Sequence, residues 1–285
     1  MLKFCSICYF VCYNLDMILT DLHTHSTFST DGKSQLVDMV STARAKGLRY
    51  YGTSEHFDLD DYSIGLYGKT DEKAYFACAR ELQSKLNGDD FTYLVGGEFN
   101  FVSDKDVWDK FLAIVERYKP DFVINSVHIV DGEECFRREY FQGKTKEYAY
   151  SRYLEQILKS LDAPFKFDIV GHLGYVSRNS PYEDGKIRYA DFAELYDAIL
   201  TKIIHMGVIL EVNSSTRGAG SDFLPDVDVL ARYYELGGRK ISFGSDAHYT
   251  SRIADKREQA VEVLKNIGFT YITVPNKGRD IKVEL

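Results

Sequence analysis

At 285 residues, with 45% hydrophobic and 14% aromatic side chains, the chain can build a sizeable core and lies outside the disordered range. Lys and Arg number 35 against 43 Asp and Glu, a net charge of −8 and a pI near 5.4. That balance excludes a broad basic face for long nucleic acid and leaves room for a local basic pocket that takes a small anion.

In chain order, residues 1–16, MLKFCSICYFVCYNLD, resemble a weak signal peptide but lack a small-residue cleavage site. They are expected to be a dispensable extension, with a single domain over 17–285. Cys5, Cys8 and Cys12 fall here, and Cys78 and Cys135 follow later. An odd count in a chain this long does not read as a disulfide framework and points to a reducing, cytoplasmic setting. The Cys5-x-x-Cys8 pair invites a zinc or redox reading, but no second Cys/His pair follows at finger spacing and no βαβ context surrounds it.

Seven short apolar runs follow, at 17–23, 49–56, 92–99, 121–128, 167–173, 207–215 and 240–248. Amphipathic segments separate them, such as 34–47, where Leu36, Val37, Val40, Ala43 and Leu48 keep near-helical spacing. Gly47 and the LGG at 236–238 read as helix stops. Continuous hydrophobic strands alternating with helices imply an α/β fold with a parallel sheet covered by helices. With no visible division of the chain, a closed barrel is expected over an open doubly wound sheet, and the run 269–274 offers an eighth strand. No run of 18 apolar residues occurs, so no membrane span is expected.

Polar residues stand at the end of nearly every run. His23 and His25 end the first, Glu55 and His56 the second, Glu98 the third, His128 the fourth and His172 the fifth. Glu211, Asn213 and Ser214 end the sixth, and Asp246 with His248 the seventh. In α/β barrels these C-terminal ends converge on one mouth, where chemistry is found. Any one histidine alone reads as a satisfied structural residue. Six of the seven at strand ends, together with Glu98 and Asp246, do not; only His205 lies in a helix-like segment, and it reads as structural.

Imidazole and carboxylate without cysteine form a ligand set for zinc, manganese or iron. Residues i and i+2 of a strand share a face, so His23 and His25 can grip one ion together. With Asp31 the candidate ligands are His23, His25, Asp31, His56, Glu98, His128, His172, Asp246 and His248. One ion needs three or four protein ligands, so nine imply two or three divalent ions and shared carboxylates.

The segments DLHTHSTFSTD, SEH, GGEFN, SVH, DIVGHL, EVNSS and GSDAH, in this order, resemble the polymerase-and-histidinol-phosphatase (PHP) superfamily over roughly residues 17–275. GHLGYVSRNSPY, GVILEVNSS and YYELGGRKISFGSDAH are most similar to its histidinol-phosphate phosphatase family. The resemblance implies a distorted (β/α)7 TIM-like barrel with three metals at the C-terminal strand ends. It assigns His23, His25, Glu98 and Asp246 to the first metal, Glu98, His128 and His172 to the second, and Asp31, His56 and His248 to the third. Some members carry histidine where Asp31 stands, which bears on the third metal.

The implied activity is hydrolysis of L-histidinol phosphate to L-histidinol and phosphate in histidine biosynthesis, by in-line attack of a metal-bridging hydroxide on phosphorus. Arg178 and Arg217 are candidates for the cation that holds the phosphate, with Arg188 a third; for each the alternative is a solvated loop arginine. Asp246 or a metal-bound water is the candidate proton donor to the leaving alkoxide. Glu55 is a candidate for the substrate ammonium or for orienting a ligand, with a structural ion pair as the alternative. Ser126, Asn213 and Ser214 are candidate pocket residues, while Trp108 and the 21 tyrosines read as packing.

Three other readings compete. One is a PHP phosphoesterase acting on nucleotides, oligonucleotide ends or phosphotyrosine; another is a non-catalytic PHP module, against which the filled ligand positions count. The third, an amidohydrolase barrel, shares H-x-H after its first strand but typically brings a mid-chain lysine ligand, where this chain has Glu98 and His128.

Overall fold

The computed structural model describes residues 19–216, 222–277 and 279–285. The expected extension over 1–16 therefore lies outside the described residues. Seven strands form one parallel sheet: β1 (Thr20–Asp21), β2 (Tyr50–Phe57), β3 (Thr92–Asn100), β4 (Phe122–Ser126), β7 (Ile169–Val170), β8 (Ile209–Asn213) and β9 (Ile241–Gly244), hydrogen-bonded in that order. Between β4 and β7 a short antiparallel ladder joins β5 (Ile129–Val130) to β6 (Glu133–Glu134). The helices are α1 (Leu36–Ala45), α2 (Asp61–Tyr67), α3 (Glu72–Leu86), α4 (Lys105–Tyr118), α5 (Lys146–Ser160), α6 (Ala193–Met206), α7 (Val227–Glu235) and α8 (Arg257–Ile267). None is long and apolar enough to cross a membrane.

The two edges of the sheet meet. Leu22 N–H donates to Phe243 O at 3.0 Å, Asp246 N–H to His23 O at 2.8 Å, and His25 N–H to Ala247 O at 2.8 Å, which closes the sheet into a barrel. Closure leaves no free edge, and this decides the fate of the candidate eighth strand. That run becomes β10 (Tyr271–Val274), which pairs antiparallel with β11 (Ile281–Glu284) in a separate two-stranded sheet.

Alternation along the strands sorts two cores. Tyr93, Val95 and Phe99 of β3 pack outward into the layer shared with the helices. Leu94 faces the other way and joins Leu22, Tyr50, Phe122, Ile124, Ile169 and Ile209 in a second, interior cluster. Val274 and Val283 of the β10–β11 hairpin pack against that cluster and cover the barrel's base. The interior is tight because of two glycines: a Cβ on Gly52 would lie 2.7 Å, and one on Gly96 2.4 Å, from the Phe122 ring. Helix stops fall where sequence spacing predicts them, with Gly47 at φ +76° after α1 and Gly237 at φ +94° after α7.

Candidate metal centre

The interior face that is apolar at the base turns polar at the top. On β2 it carries Tyr50, Gly52, Ser54 and His56, and on β3 Leu94, Gly96 and Glu98, with His56 registered against Glu98. His128 stands just beyond β4, its N–H donating to Asn100 Oδ1 at 2.9 Å. His172 follows β7, its N–H donating to Glu211 Oε2 at 2.6 Å. After β9 the chain is pinned by buried Asp21, which accepts from Ser245 N at 2.9 Å, Ser245 Oγ at 2.6 Å and Ala254 N at 2.8 Å. Asp246 then adopts a left-handed φ of 51°, a conformation that aspartate tolerates better than most residues.

Glu98 is the hub. Its Oε1 lies 2.7 Å from His172 Nε2 and 3.2 Å from His128 Nε2. Its Oε2 lies 2.7 Å from His56 Nδ1, 3.3 Å from His23 Nε2 and 3.6 Å from His25 Nε2. Asp246 Oδ1 approaches His25 Nε2 at 3.4 Å and His23 Nε2 at 4.0 Å. Asp31, 56% exposed at the rim, sets Oδ2 2.9 Å from His248 Nε2 and Oδ1 3.6 Å from His56 Nε2. All nine predicted ligands thus gather at one mouth.

Several of these atoms are buried and lack hydrogen-bonded partners among the described residues: His23 Nε2, His25 Nε2, His56 Nδ1, His248 Nε2 and Glu98 Oε2. Buried polar atoms are normally satisfied, so a convergent set of orphans is what a metal cluster needs from its host. Ligand atoms of His23, His25 and Asp246, of His23, Glu98 and His172, and of His25, His56 and His248 lie close enough to hold an ion. The donor chemistry fits divalent zinc, manganese or iron.

The charges agree. Burial opposes the ionised form of Glu98, but His23, His128 and His56 around it hold its carboxyl well below the usual range. Burial also opposes a charged His56, yet Glu98 and Asp31 raise it to about 10. His25 moves the other way, lowered by burial and by its neighbours His56 and His248. The pocket attracts positive charge overall, and a proton and a metal ion compete for the same ligand atoms.

Residues that sequence reasoning missed support the ligands from behind. Glu211 Oε1 sits 2.7 Å from His23 Nδ1, and Asp58 Oδ1 3.1 Å from His128 Nδ1. A carboxylate at Nδ1 keeps the ring proton there and presents the Nε2 lone pair inward. Asp58 had a signal, two residues after His56; Glu211 was visible as a carboxylate ending an apolar strand, without an assigned role. Ser215 Oγ donates to Asp246 Oδ2 at 2.7 Å.

Of the other candidates, Arg178 is brought in: it is almost buried, and its Nη1 donates to Asp246 Oδ2 at 3.1 Å while its Nε has no hydrogen-bond partner among the described residues. Arg188 is not. It is half-exposed and pairs with Asp184, away from the cavity. Arg217 lies outside the described residues. Glu55 is turned from the cavity and fully buried, both oxygens accepting from the backbone and hydroxyl groups of Ser26 and Ser29, so it shapes the loop after His25 instead of meeting an ammonium. Ser126, Asn213 and Ser214 are buried and do not line the cavity either; Ser214 Oγ donates to Asp255 O at 2.8 Å.

The mouth opens into a cavity of about 340 Å³, the size of a small-ligand site, walled by six of the nine ligands (Asp31, His56, His128, His172, Asp246 and His248) and by Arg178, Lys33, Tyr67, Glu134, Phe136 and Tyr175; His23, His25 and Glu98 lie deeper. A larger cavity of about 440 Å³, between Arg80, Asp121 and Lys277, holds none of the candidate ligands.

The PHP domain model matches residues 21–215. A probable histidinol-phosphatase of Clostridium acetobutylicum is 26% identical over 249 residues, which cover 86% of this chain and 92% of that protein. A histidinol-phosphatase of Lactococcus lactis is 29% identical over 250 residues, 87% of this chain and 91% of that protein. The crystal structure of histidinol phosphate phosphatase from Lactococcus lactis, complexed with zinc, L-histidinol and phosphate, superposes with a TM-score of 0.80 at 28% identity, covering 92% of this chain and 98% of that one.

Proposed function

This chain belongs to the PHP domain family, and from that premise we propose that it is a metal-dependent phosphomonoesterase that hydrolyses L-histidinol phosphate to L-histidinol and phosphate. The observation that carries the reading is the ring of unpartnered imidazole and carboxylate atoms around Glu98, at the mouth of a barrel whose structural relative binds zinc, L-histidinol and phosphate.

His23, His25, Glu98 and Asp246 would hold one ion; Glu98 would share a second with His128 and His172; Asp31, His56 and His248 would hold a third. The chemistry such divalent ions would supply there is a lowered pKa of bound water, giving hydroxide near neutral pH, and neutralisation of charge on phosphoryl oxygens. The chain's own residues do the rest. Arg178 reaches the cavity wall with its Nε unpartnered among the described residues and is suited to grip a phosphate oxygen. Arg217, outside the described residues, is kept as a second cation for the same anion.

Asp246 is pushed up by burial but held well below the usual carboxylate range by Arg178, His25, His23 and His248. A carboxylate locked in its ionised form serves as ligand and as anchor for Arg178, and is a poor proton donor to the leaving alkoxide. Burial of the cluster keeps its charges strong by excluding bulk water.

The test is phosphate release from L-histidinol phosphate by purified protein with added Zn²⁺ or Mn²⁺, beside mononucleotides and phosphotyrosine, with His128→Ala as control. The expected result is a strong preference for histidinol phosphate, with the loss in H128A exceeding the ~10–100-fold typical of a supporting residue. Turnover of only the other esters would keep the chemistry and overturn the substrate.

A further inference from the structure

Two of the clustered histidines have a carboxylate directly at Nδ1: Glu211 for His23 and Asp58 for His128. His25 does not. Its Nδ1 lies 3.4 Å from Ser29 Oγ, and the carboxylate, Glu55, stands behind that oxygen. Glu55 is fully buried, and among the described residues its hydrogen bonds all come from Ser26 and Ser29. Ser26 N–H and Oγ–H reach Oε1 at 3.0 and 2.6 Å, while Ser29 N–H and Oγ–H reach Oε2 at 3.0 and 2.5 Å.

A hydroxyl has one proton. At 2.5 Å from a carboxylate, the proton of Ser29 is committed to Glu55, so its oxygen can only accept from its other neighbours. Those are the backbone N–H of His56, at 3.0 Å, and Nδ1 of His25. Accepting there keeps the ring proton of His25 on Nδ1 and leaves Nε2 bare, 3.6 Å from Glu98 Oε2 and 3.4 Å from Asp246 Oδ1. The same serine opens the turn that carries Asp31: Gly32 N–H donates to Ser29 O at 3.1 Å, with Asp31 third of the four turn residues. A Cβ on Gly32 would lie 1.8 Å from Ser26 O, so the loop has no slack. Beyond the turn, Lys33 N–H donates to His248 O at 2.7 Å.

We infer that Glu55 is a positioning residue for the metal centre: acting through Ser29, it sets His25 and the Asp31 turn for the ions that those ligands hold. The inference rests on the metal assignment within the phosphomonoesterase reading. Ser26 supplies the internal contrast. Its hydroxyl gives Glu55 a bond almost as short, at 2.6 Å, but makes no hydrogen bond to a candidate ligand among the described residues. A loop held only for its shape would need both serines alike, whereas a relay to the metal needs Ser29.

The test compares wild type, Ser29→Ala, Ser26→Ala and Glu55→Gln, each stripped of metal and reloaded with zinc. Zinc affinity is read by competition with a chromogenic chelator, and Tm by calorimetry. S29A and S26A each lose one hydroxyl–carboxylate bond and should fall in Tm alike. Only S29A should bind zinc more weakly, by about 10- to 100-fold at its affected sites, the range for a residue that orients a ligand. S26A should stay within about 3-fold of wild type. E55Q should weaken zinc at least as much as S29A, and the pair of serine variants serves if E55Q does not fold. Equal zinc losses in S29A and S26A, or none in either, would overturn the role of Glu55 and leave the phosphatase reading standing. If wild type binds zinc but hydrolyses no phosphate ester, the functional reading fails, and the comparison of S29A with S26A still decides on Glu55.

Discussion

On β3 the interior side chains run Leu94, Gly96, Glu98; on β4 they run Phe122, Ile124, Ser126, with His128 beyond. Within two residue pairs the same face of the same strands passes from a close-packed apolar plug to a cluster of buried, unpartnered ligand atoms. The base is satisfied by its own chain. The mouth is not, and its histidines and carboxylates are stable together only because opposite charges and supporting carboxylates hold them. One end thus supplies folding energy and the other spends some of it on chemistry, a division typical of barrels.

The sharpest way to test that division is to damage the base and watch the mouth. Phe122 is fully buried and fills the space that Gly52 and Gly96 leave open. Phe122→Ala should cost about 3–5 kcal/mol of stability, measured by chemical denaturation, because the two glycines cannot collapse onto the void. Metal affinity of the folded fraction should stay within about 2-fold, as the substitution touches no ligand. A large loss of affinity would mean that the two ends are one mechanical unit.

The converse is to loosen the mouth without removing a ligand. Glu211→Gln removes the charge behind His23 Nδ1 while keeping the side chain's shape. Metal affinity should weaken about 10–100-fold, read by competition with a chromogenic chelator. Saturating metal should then restore most activity. Failure to restore it would mean that Glu211 sets ligand geometry as well, which its second contact, accepting from His172 N–H at 2.6 Å, makes the informative alternative.

How far the sequence exposes each end follows from the range of the interactions. His23, His25, Glu98 and Asp246 are legible because strand alternation and strand ends are local properties. Glu211 and His23 are separated by 188 positions, so their pairing depends on a cross-barrel packing that no local pattern carries. Arg178 and Arg188 both follow the fifth apolar run, and only the fold puts the first on the cavity wall and leaves the second with Asp184. The run 269–274 is as apolar as a barrel strand, and what disqualifies it is closure by hydrogen bonds between residues 22–25 and 243–247. Glu55 is the instructive miss. Its place at a strand end beside His56 suggested the pocket, but the alternation that turns His56 inward turns Glu55 outward, onto Ser26 and Ser29.

The smallest expected effect lies where the hairpin meets the base. Val283 is buried at the margin of the interior cluster, on β11, where it is registered against Ile272 of β10. Trimming it to alanine removes two methyl groups from an edge that can relax. Val283→Ala should therefore cost about 1 kcal/mol, a Tm decrease of about 2–4 °C by calorimetry in a chain of this size. Activity should not change, since Val283 packs among base residues and touches none of the mouth. A loss as large as that of Phe122→Ala would show that the hairpin is an integral wall of the barrel, as a true eighth strand would be, and not a cover laid over a barrel already closed by seven.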